Sequence, residues 1–251
     1  MRADGECGHF AACGIKTMQA YVDLHLHSCL SPCANDDMTP WNIVGMAKLK
    51  ELDVIAVTDH NCALNLPEAM EAGKEYGVTV LPGLEITSKE EVHMLAYFET
   101  LPAALRFGKM IYQHLPDVKN DASLFGRQLI IGGEDCIQGE VEKLLIAATD
   151  FSVEALAHEI KKYGGVAIPA HINRGANGMI GALGLMPMLP EYPAVEVSPH
   201  IDCPAYATKG RRVLQSSDAH RLEDIQEREF TMELAEVSPA AIMAMLRDAN
   251  A

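Results

Sequence analysis

His25 and His27 stand two residues apart at the end of the apolar run Tyr21-Val-Asp-Leu-His-Leu-His-Ser28. On a β-strand that spacing projects both imidazoles to one face, as a metal-ligand pair requires, although a histidine on a strand serves more often in hydrogen-bonded packing. What shifts the balance is recurrence. Asp59-His60, Glu85, His171, His200 and Asp218-Ala-His220 each fall at or just after the end of a short apolar run, and His93 begins another. Imidazoles mixed with carboxylates suit Zn²⁺, Mn²⁺ or Fe²⁺ better than Ca²⁺ or Mg²⁺, which prefer oxygen-only shells. The set is too large for one ion, so two to three divalent metal ions are expected, with a carboxylate such as Glu85 bridging. In multinuclear hydrolases such ions lower the pKa of a bound water to about 7 and clamp transition-state oxygens, which supplies hydroxide without a protein nucleophile.

The elements that must position these groups alternate. Thr39-Pro40 reads as an N-cap with proline at the first helical position of a helix to Glu51, and Val54–Val57 as a strand buried on both faces. Leu66–Tyr76 reads as a helix stopped by Gly77, followed by strands at Val78–Leu81 and Val92–Phe98. Ser152 caps a helix to Tyr163, Gly164-Gly165 ends it, and strands follow at Val166–Ile168, Ala194–Val197 and Arg212–Gln215. Ser238-Pro239 starts a last helix with Ile242, Met245 and Leu246 on one face. Strands alternating with helices of about ten residues predict a parallel sheet, open or closed into a barrel, whose strand C-termini share one rim. Residues from about 101 to 148 are less regular and read as an insertion with helices of its own; residues 1–19 have no clear period and read as an N-terminal extension, with Met18 as an alternative start. The remainder, 20–251, reads as one domain.

Composition narrows the classes. A chain of 251 residues with 49% hydrophobic and 22% charged residues has an ordinary globular balance. No run approaches the 18 or more apolar residues of a membrane span, and the first residues lack a signal-peptide layout, so the expected address is the cytoplasm and no membrane partner is expected. Seven cysteines, an odd and scattered number, argue for reduced thiols rather than a disulfide framework. A formal net charge of −15 disfavours a stable nucleic-acid partner; bound metals could overturn that field locally for an anionic substrate. Oligomeric state is left open.

Taken in order, Asp-Leu-His25-Leu-His27-Ser, Val-Thr-Asp-His60, Pro-Gly-Leu-Glu85, Val-His93-Met-Leu, Pro-Ala-His171 and Ser-Ser-Asp218-Ala-His220 resemble the motifs of the PHP (polymerase and histidinol phosphatase) family over roughly residues 21–225. The resemblance implies a distorted seven-stranded (β/α)7 barrel and a trinuclear centre that hydrolyses phosphoesters with metal-bound hydroxide. It implies His25, His27, Glu85 and Asp218 around one ion, Glu85, His93 and His171 around a second, and His60 and His220 around a third. Many relatives place Ser-Asp-Gly after the histidine pair, whereas this chain reads Ser31-Pro32-Cys33. Asp37 is the favoured replacement ligand, with Asp36 and Cys33 as alternatives. Asp59 is expected to orient His60 by accepting its other N–H. Arg174 suits a phosphate oxygen through its planar fork, the commoner fate of a loop arginine being a surface ion pair, and His200, on the same rim outside the matched motifs, is expected to contact substrate or support a ligand, with a structural role as the alternative. The substrate expected is a small phosphorylated molecule or a nucleotide. The competing readings are an exonuclease on short oligonucleotides and a non-catalytic metal-binding module.

Overall fold

The computed structural model describes residues 17–248. In chain order the elements begin with β1 (Met18–Leu26), α1 (Pro40–Leu49), β2 (Val54–Val57), α2 (Leu66–Tyr76), β3 (Thr79–Thr87) and β4 (His93–Tyr97). Next come α3 (Leu101–Gln113), α4 (Ala122–Phe125), β5 (Leu129–Gly132), β6 (Cys136–Glu140), α5 (Val153–Lys162) and β7 (Val166–Pro169). The chain closes with α6 (Met179–Leu183), β8 (Ala194–Glu196), α7 (Ala205–Thr208), β9 (Arg212–Leu214), β10 (Thr231–Leu234) and α8 (Pro239–Arg247). Residues 1–16 of the expected extension lie outside the described residues, while Met18 and Gln19 already pair with Leu234 and Glu233.

The helix starts follow their caps. Thr39 and Ser152 accept the backbone N–H of Asn42 and Ala155, Pro40 sits in the first turn of α1, and Gly77 ends α2 at φ 69°.

The sheet differs from the parallel seven-stranded array expected. Its ladder joins six strands in the order β10-β1-β2-β3-β4-β7, and β8 and β9 form a separate parallel pair. The pair is stitched to the sheet by the Ile172 N–H to Glu196 O bond and by an isolated Leu26–Ala219 bridge. β1, β2 and β3 run parallel, whereas β4 is antiparallel to both β3 and β7. The reason lies in the connection: only residues 88–92 join β3 to β4, and a parallel crossover needs a dozen or more. That reversal carries His93, at the beginning of β4, to the rim where the parallel strands end.

β3 also runs further than expected, through Pro82-Gly83 to Thr87. It pairs with β2 up to Pro82 and with β4 from Gly83 onward. A Cβ at Gly83 would lie 2.8 Å from Thr58 Cγ2 and 3.1 Å from Tyr97 Cδ1, so glycine is what lets the strand change partners there.

Alternation separates two apolar layers. Val54, Ala56, Leu81, Leu95 and Tyr97 pack on the inner face with α8, while Ile55, Val57, Val80, Leu84 and Met94 pack under the helices. Glu85 has the parity of Leu81, and His93 that of Leu95 and Tyr97, which places both on the inner face above an apolar floor. β1 needs one more device. Val22 pairs with Val54 and Asp23 with Ile55, but Leu26 pairs with Val57, so one strand holds an extra residue in this interval. This bulge turns His25 and His27 inward, where simple alternation after Leu24 would leave them facing out.

The expected insertion consists of α3, α4 and the β5–β6 hairpin. It is clasped onto the loop after β1: Asn65 Nδ2 donates to Ser28 Oγ and Leu129 O, Asn65 Oδ1 accepts from Ile131 N–H, and Leu129 N–H donates to Cys29 O. At Gly126, φ 98°, a Cβ would meet Pro32 O at 2.0 Å. Among the described residues no helix is long and apolar enough to cross a membrane.

Candidate metal centre

Seven strand ends, or in the case of β4 a strand start, deliver the polar side chains to one place. Glu85, 1% exposed, lies at its middle. Its Oε1 is 2.9 Å from His93 Nδ1, 3.1 Å from His171 Nε2 and 3.3 Å from His25 Nε2, and its Oε2 is 3.2 Å from His60 Nδ1 and 3.4 Å from His27 Nε2. Asp218 Oδ1 lies 3.2 Å from His25 Nε2 and 3.1 Å from His27 Nε2. Three groups of ligand atoms result: His25, His27, Glu85 and Asp218; His60, Glu85 and His93; and His27, His60 and His220. His171 reaches the second group through Glu85. The expected sharing of Glu85 thus has a geometric counterpart.

Divalent metal ions fit this donor set. Metal–ligand bonds of about 2.0–2.2 Å place neighbouring donor atoms about 2.8–3.6 Å apart, from octahedral to tetrahedral geometry, and the separations above fall in that interval. His60 Nδ1 and Asp218 Oδ1, both turned into the centre, are buried without a hydrogen bond, the condition of atoms kept for an ion.

Proton balance without metal follows from the packing. Burial disfavours charge at His25, yet the carboxylates of Glu196, Asp218 and Glu85 outweigh it and hold the imidazole well above its ordinary range. His27 is pushed up to about 9 in the same way, against its burial, by Asp218 and Glu85. Glu85 and Asp218 are held well below the usual carboxylate range despite burial, mainly by His93 and His25 for the former and by His25 and His27 for the latter. His60 falls well below its normal value and His220 to about 4, because burial and the charge on His27 both oppose protonation. Without metal, protons therefore sit on His25 and His27 and balance the two carboxylates.

The ligands are backed by hydrogen bonds. The His27 ring donates from Nδ1 to Ser31 Oγ at 3.0 Å, and Ser31 in turn donates to Asp59 Oδ1 at 2.7 Å. Asp59 also accepts from Ser28 N–H and Ser28 Oγ. This corrects the expectation for Asp59: it reaches His27 through Ser31, and touches His60 only through the same hydroxyl, which accepts the His60 backbone N–H. Asp23, fully buried, accepts from Ser217 N–H and Oγ and so fixes the loop that carries Asp218, φ 52°, and His220.

Of the other sequence-derived residues, Asp37 is exposed and outside all three groups, and its carbonyl accepts from Asn42 Nδ2. Asp36 is turned away too, toward Arg127 at 3.5 Å. The cause is local: Ser31 and Ala34 close successive turns onto Ser28 and Ser31, and Asn35 N–H bonds His220 O, so the chain leaves the rim before it reaches either aspartate. Cys33 has its thiol pushed up to about 12, by desolvation and then by the negative charge of Glu85. His200 is exposed and in none of the groups. Arg174, at the mouth, bonds Asp218 Oδ2 at 2.5 Å with 37% of its side chain exposed. Sequence reading missed Glu196, which is 2% exposed and bonds His25; an acid inside the apolar run Ala194-Val-Glu-Val197 is the same signal that marked the other strand ends.

Comparison with known proteins agrees with this arrangement. A family model for the PHP domain matches residues 23–168, more than half of the chain. Over 79 residues the chain is 40% identical to a PolC-type DNA polymerase III of Bacillus cereus, and over another 79-residue alignment 33% identical to a 3',5'-nucleoside bisphosphate phosphatase of Chromobacterium violaceum. Those alignments cover 31% and 30% of this chain but only 5% and 27% of the relatives. In three dimensions it resembles the lesion-specific endonuclease PfuEndoQ of Pyrococcus furiosus, with a TM-score of 0.69 at 17% identity over 92% of this chain and 56% of the endonuclease.

Proposed function

Because this chain belongs to the PHP domain family, we propose that it is a metal-dependent hydrolase of phosphoester bonds acting on a small phosphorylated molecule or a nucleotide. The observation that carries this reading is the buried Glu85 with five imidazoles around it and Asp218 against the same Nε2 atoms of His25 and His27. His25, His27, Glu85 and Asp218 would hold one ion, Glu85, His93 and His171 a second, and His60 and His220 a third. Ions bound there supply a water of lowered pKa and positive charge for the phosphoryl oxygens.

The protein's own part is to hold and to select. Glu85 and Asp218 provide the negative charge that makes a cluster of imidazoles hospitable to cations where the deep side chains are buried. Arg174 stands at the opening with the fork of its guanidinium turned onto Asp218; rotated outward, it would meet a phosphate that enters above the centre. The seven-stranded barrel implied by the resemblance is compatible with the contacts that join β8–β9 to the six-stranded sheet. A retained ligand set speaks against a purely structural module.

The test is hydrolysis of p-nitrophenyl phosphate, nucleoside bisphosphates, and short RNA and DNA by protein loaded with Mn²⁺ or Zn²⁺. Turnover of a small ester or bisphosphate that stops on chelation is the expected result. Turnover confined to oligonucleotides would transfer the assignment to a nuclease, and activity that survives complete metal removal would sink it.

A further inference from the structure

Glu196 ends β8 behind the centre and belongs to none of the ligand groups. Both its oxygens face one atom: Oε1 and Oε2 lie 3.1 and 3.0 Å from His25 Nδ1. Oε2 also accepts the backbone N–H of His171 at 2.9 Å, and the main-chain oxygen of Glu196 accepts from Ile172 N–H at 2.9 Å. An imidazole whose Nδ1–H is held in this way can offer an ion only Nε2, by giving up the proton there, and Nε2 of His25 is the atom that faces Glu85, Asp218 and His27. His171 has φ 26°, a left-handed backbone costly for a residue with a Cβ, and its amide is the one that Glu196 secures.

We propose that Glu196 is a positioning residue of the metal centre: it fixes His25 as an Nε2 ligand and seats the strained backbone of His171, without itself binding an ion. The inference rests on the metal-centre reading given above. Its chemistry is that of a carboxylate behind a ligating histidine, which sets ring orientation and raises the basicity of the coordinating nitrogen. What is specific here is that one carboxylate serves two ligands, one on β1 and one in the loop after β7, the first through its ring and the second through its main chain. A single oxygen, Oε2, reaches both, so a glutamine with its oxygen at that place keeps an acceptor for both N–H groups while it loses the charge and the second acceptor, Oε1.

The test uses Glu196→Ala and Glu196→Gln in the full chain, with Zn²⁺ and Mn²⁺ dissociation constants from chelator competition and ion counts from elemental analysis. The expected result is a rise of roughly 10–100-fold in the dissociation constant for Glu196→Ala with the ion count at saturation unchanged, and recovery of most of that loss in Glu196→Gln. In the Co²⁺-loaded protein the ring N–H of His25 gives a shifted, slowly exchanging proton resonance that disappears in the alanine variant. Should Glu196→Ala fail to fold, the glutamine variant carries the test by keeping that resonance. Metal affinity in folded Glu196→Ala equal to that of the parent, a glutamine variant without the resonance, or one ion fewer at saturation would each overturn the proposal. Absence of tight metal binding by the unsubstituted protein would instead remove the metal-centre reading itself.

Discussion

The two halves of the centre are built from different materials. The deep half, His25, His27, Glu85 and Asp218, sets two carboxylates against two imidazoles, with side-chain exposures of 0%, 0%, 1% and 9%. The rim half, His27, His60 and His220, has no carboxylate, and His220 is 29% exposed. A cation entering the deep half meets negative charge in a medium that screens it weakly, while one entering the rim half meets the neutral nitrogens of His60 and His220, with no carboxylate in their group. The loop that was expected to supply an acid to the rim turns its aspartates outward. The lesson is that ligand number and ligand charge are separate properties of a site: the two halves hold similar counts of donors, yet only one neutralises an ion.

The sharpest way to break this comparison is Glu85→Ala, which removes a carboxylate common to two ligand groups. We expect metal affinity and turnover to fall by more than about 100-fold, beyond the cost typical of a residue that merely supports a ligand, as read by chelator competition and steady-state kinetics. A loss no greater than that of His220→Ala would erase the distinction between the halves. For His220→Ala the expected loss is roughly tenfold, with one ion fewer by elemental analysis and the tightest ion retained.

A smaller effect concerns protons. In metal-free protein His27 is raised from 6.5 to about 9, so the folded state binds a proton that the unfolded state releases, and stability from this source is present below pH 6.5 and lost as pH rises through 9. His220 is lowered from 6.5 to about 4, so its contribution is present above pH 6.5 and is lost as pH falls through 4. Chemical denaturation of chelated protein should therefore show greatest stability near pH 6.5 and decline on both sides. With metal bound, His27 has surrendered its proton and the alkaline decline should vanish. An identical decline with and without metal would mean that the ion does not displace that proton.

The smallest effect is the most discriminating for the rim. Asp37→Ala should leave metal content unchanged and stability within about 0.5 kcal/mol, as for a surface substitution; loss of an ion would restore Asp37 as a ligand.

Much of the site was legible because strand ends in such folds are chemically marked. His25, His27, His60, Glu85, His171, Asp218 and His220 were all read from polar residues that interrupt apolar runs, and the structure brings them together. The direction of β4 was legible in principle from the short segment 88–92 and would have explained His93 at once. The bulge in β1 was not. Period-two reasoning puts Leu24 and His25 on opposite faces, and nothing in the residues themselves announces an extra position; it is set by pairing with β2. Asp37 failed for a related reason. Spacing along a loop says how far a side chain could reach, not which way successive turns point it. Strand β10 was overlooked because its four residues, Thr231–Leu234, are an edge strand recognised only through their antiparallel partner.

Asp23 and Ser217 are bonded across 194 residues of chain. Considered in time rather than in space, that bond makes the centre a late product of folding. The loop with Asp218 and His220 is held by β1 only after the 194 residues from Asp23 to Ser217 have been made and the two segments have met, a closure whose entropy must be overcome before any ion gains its full set of ligands. An ion that binds after the barrier has been crossed leaves the folding rate alone and lengthens the life of what has folded.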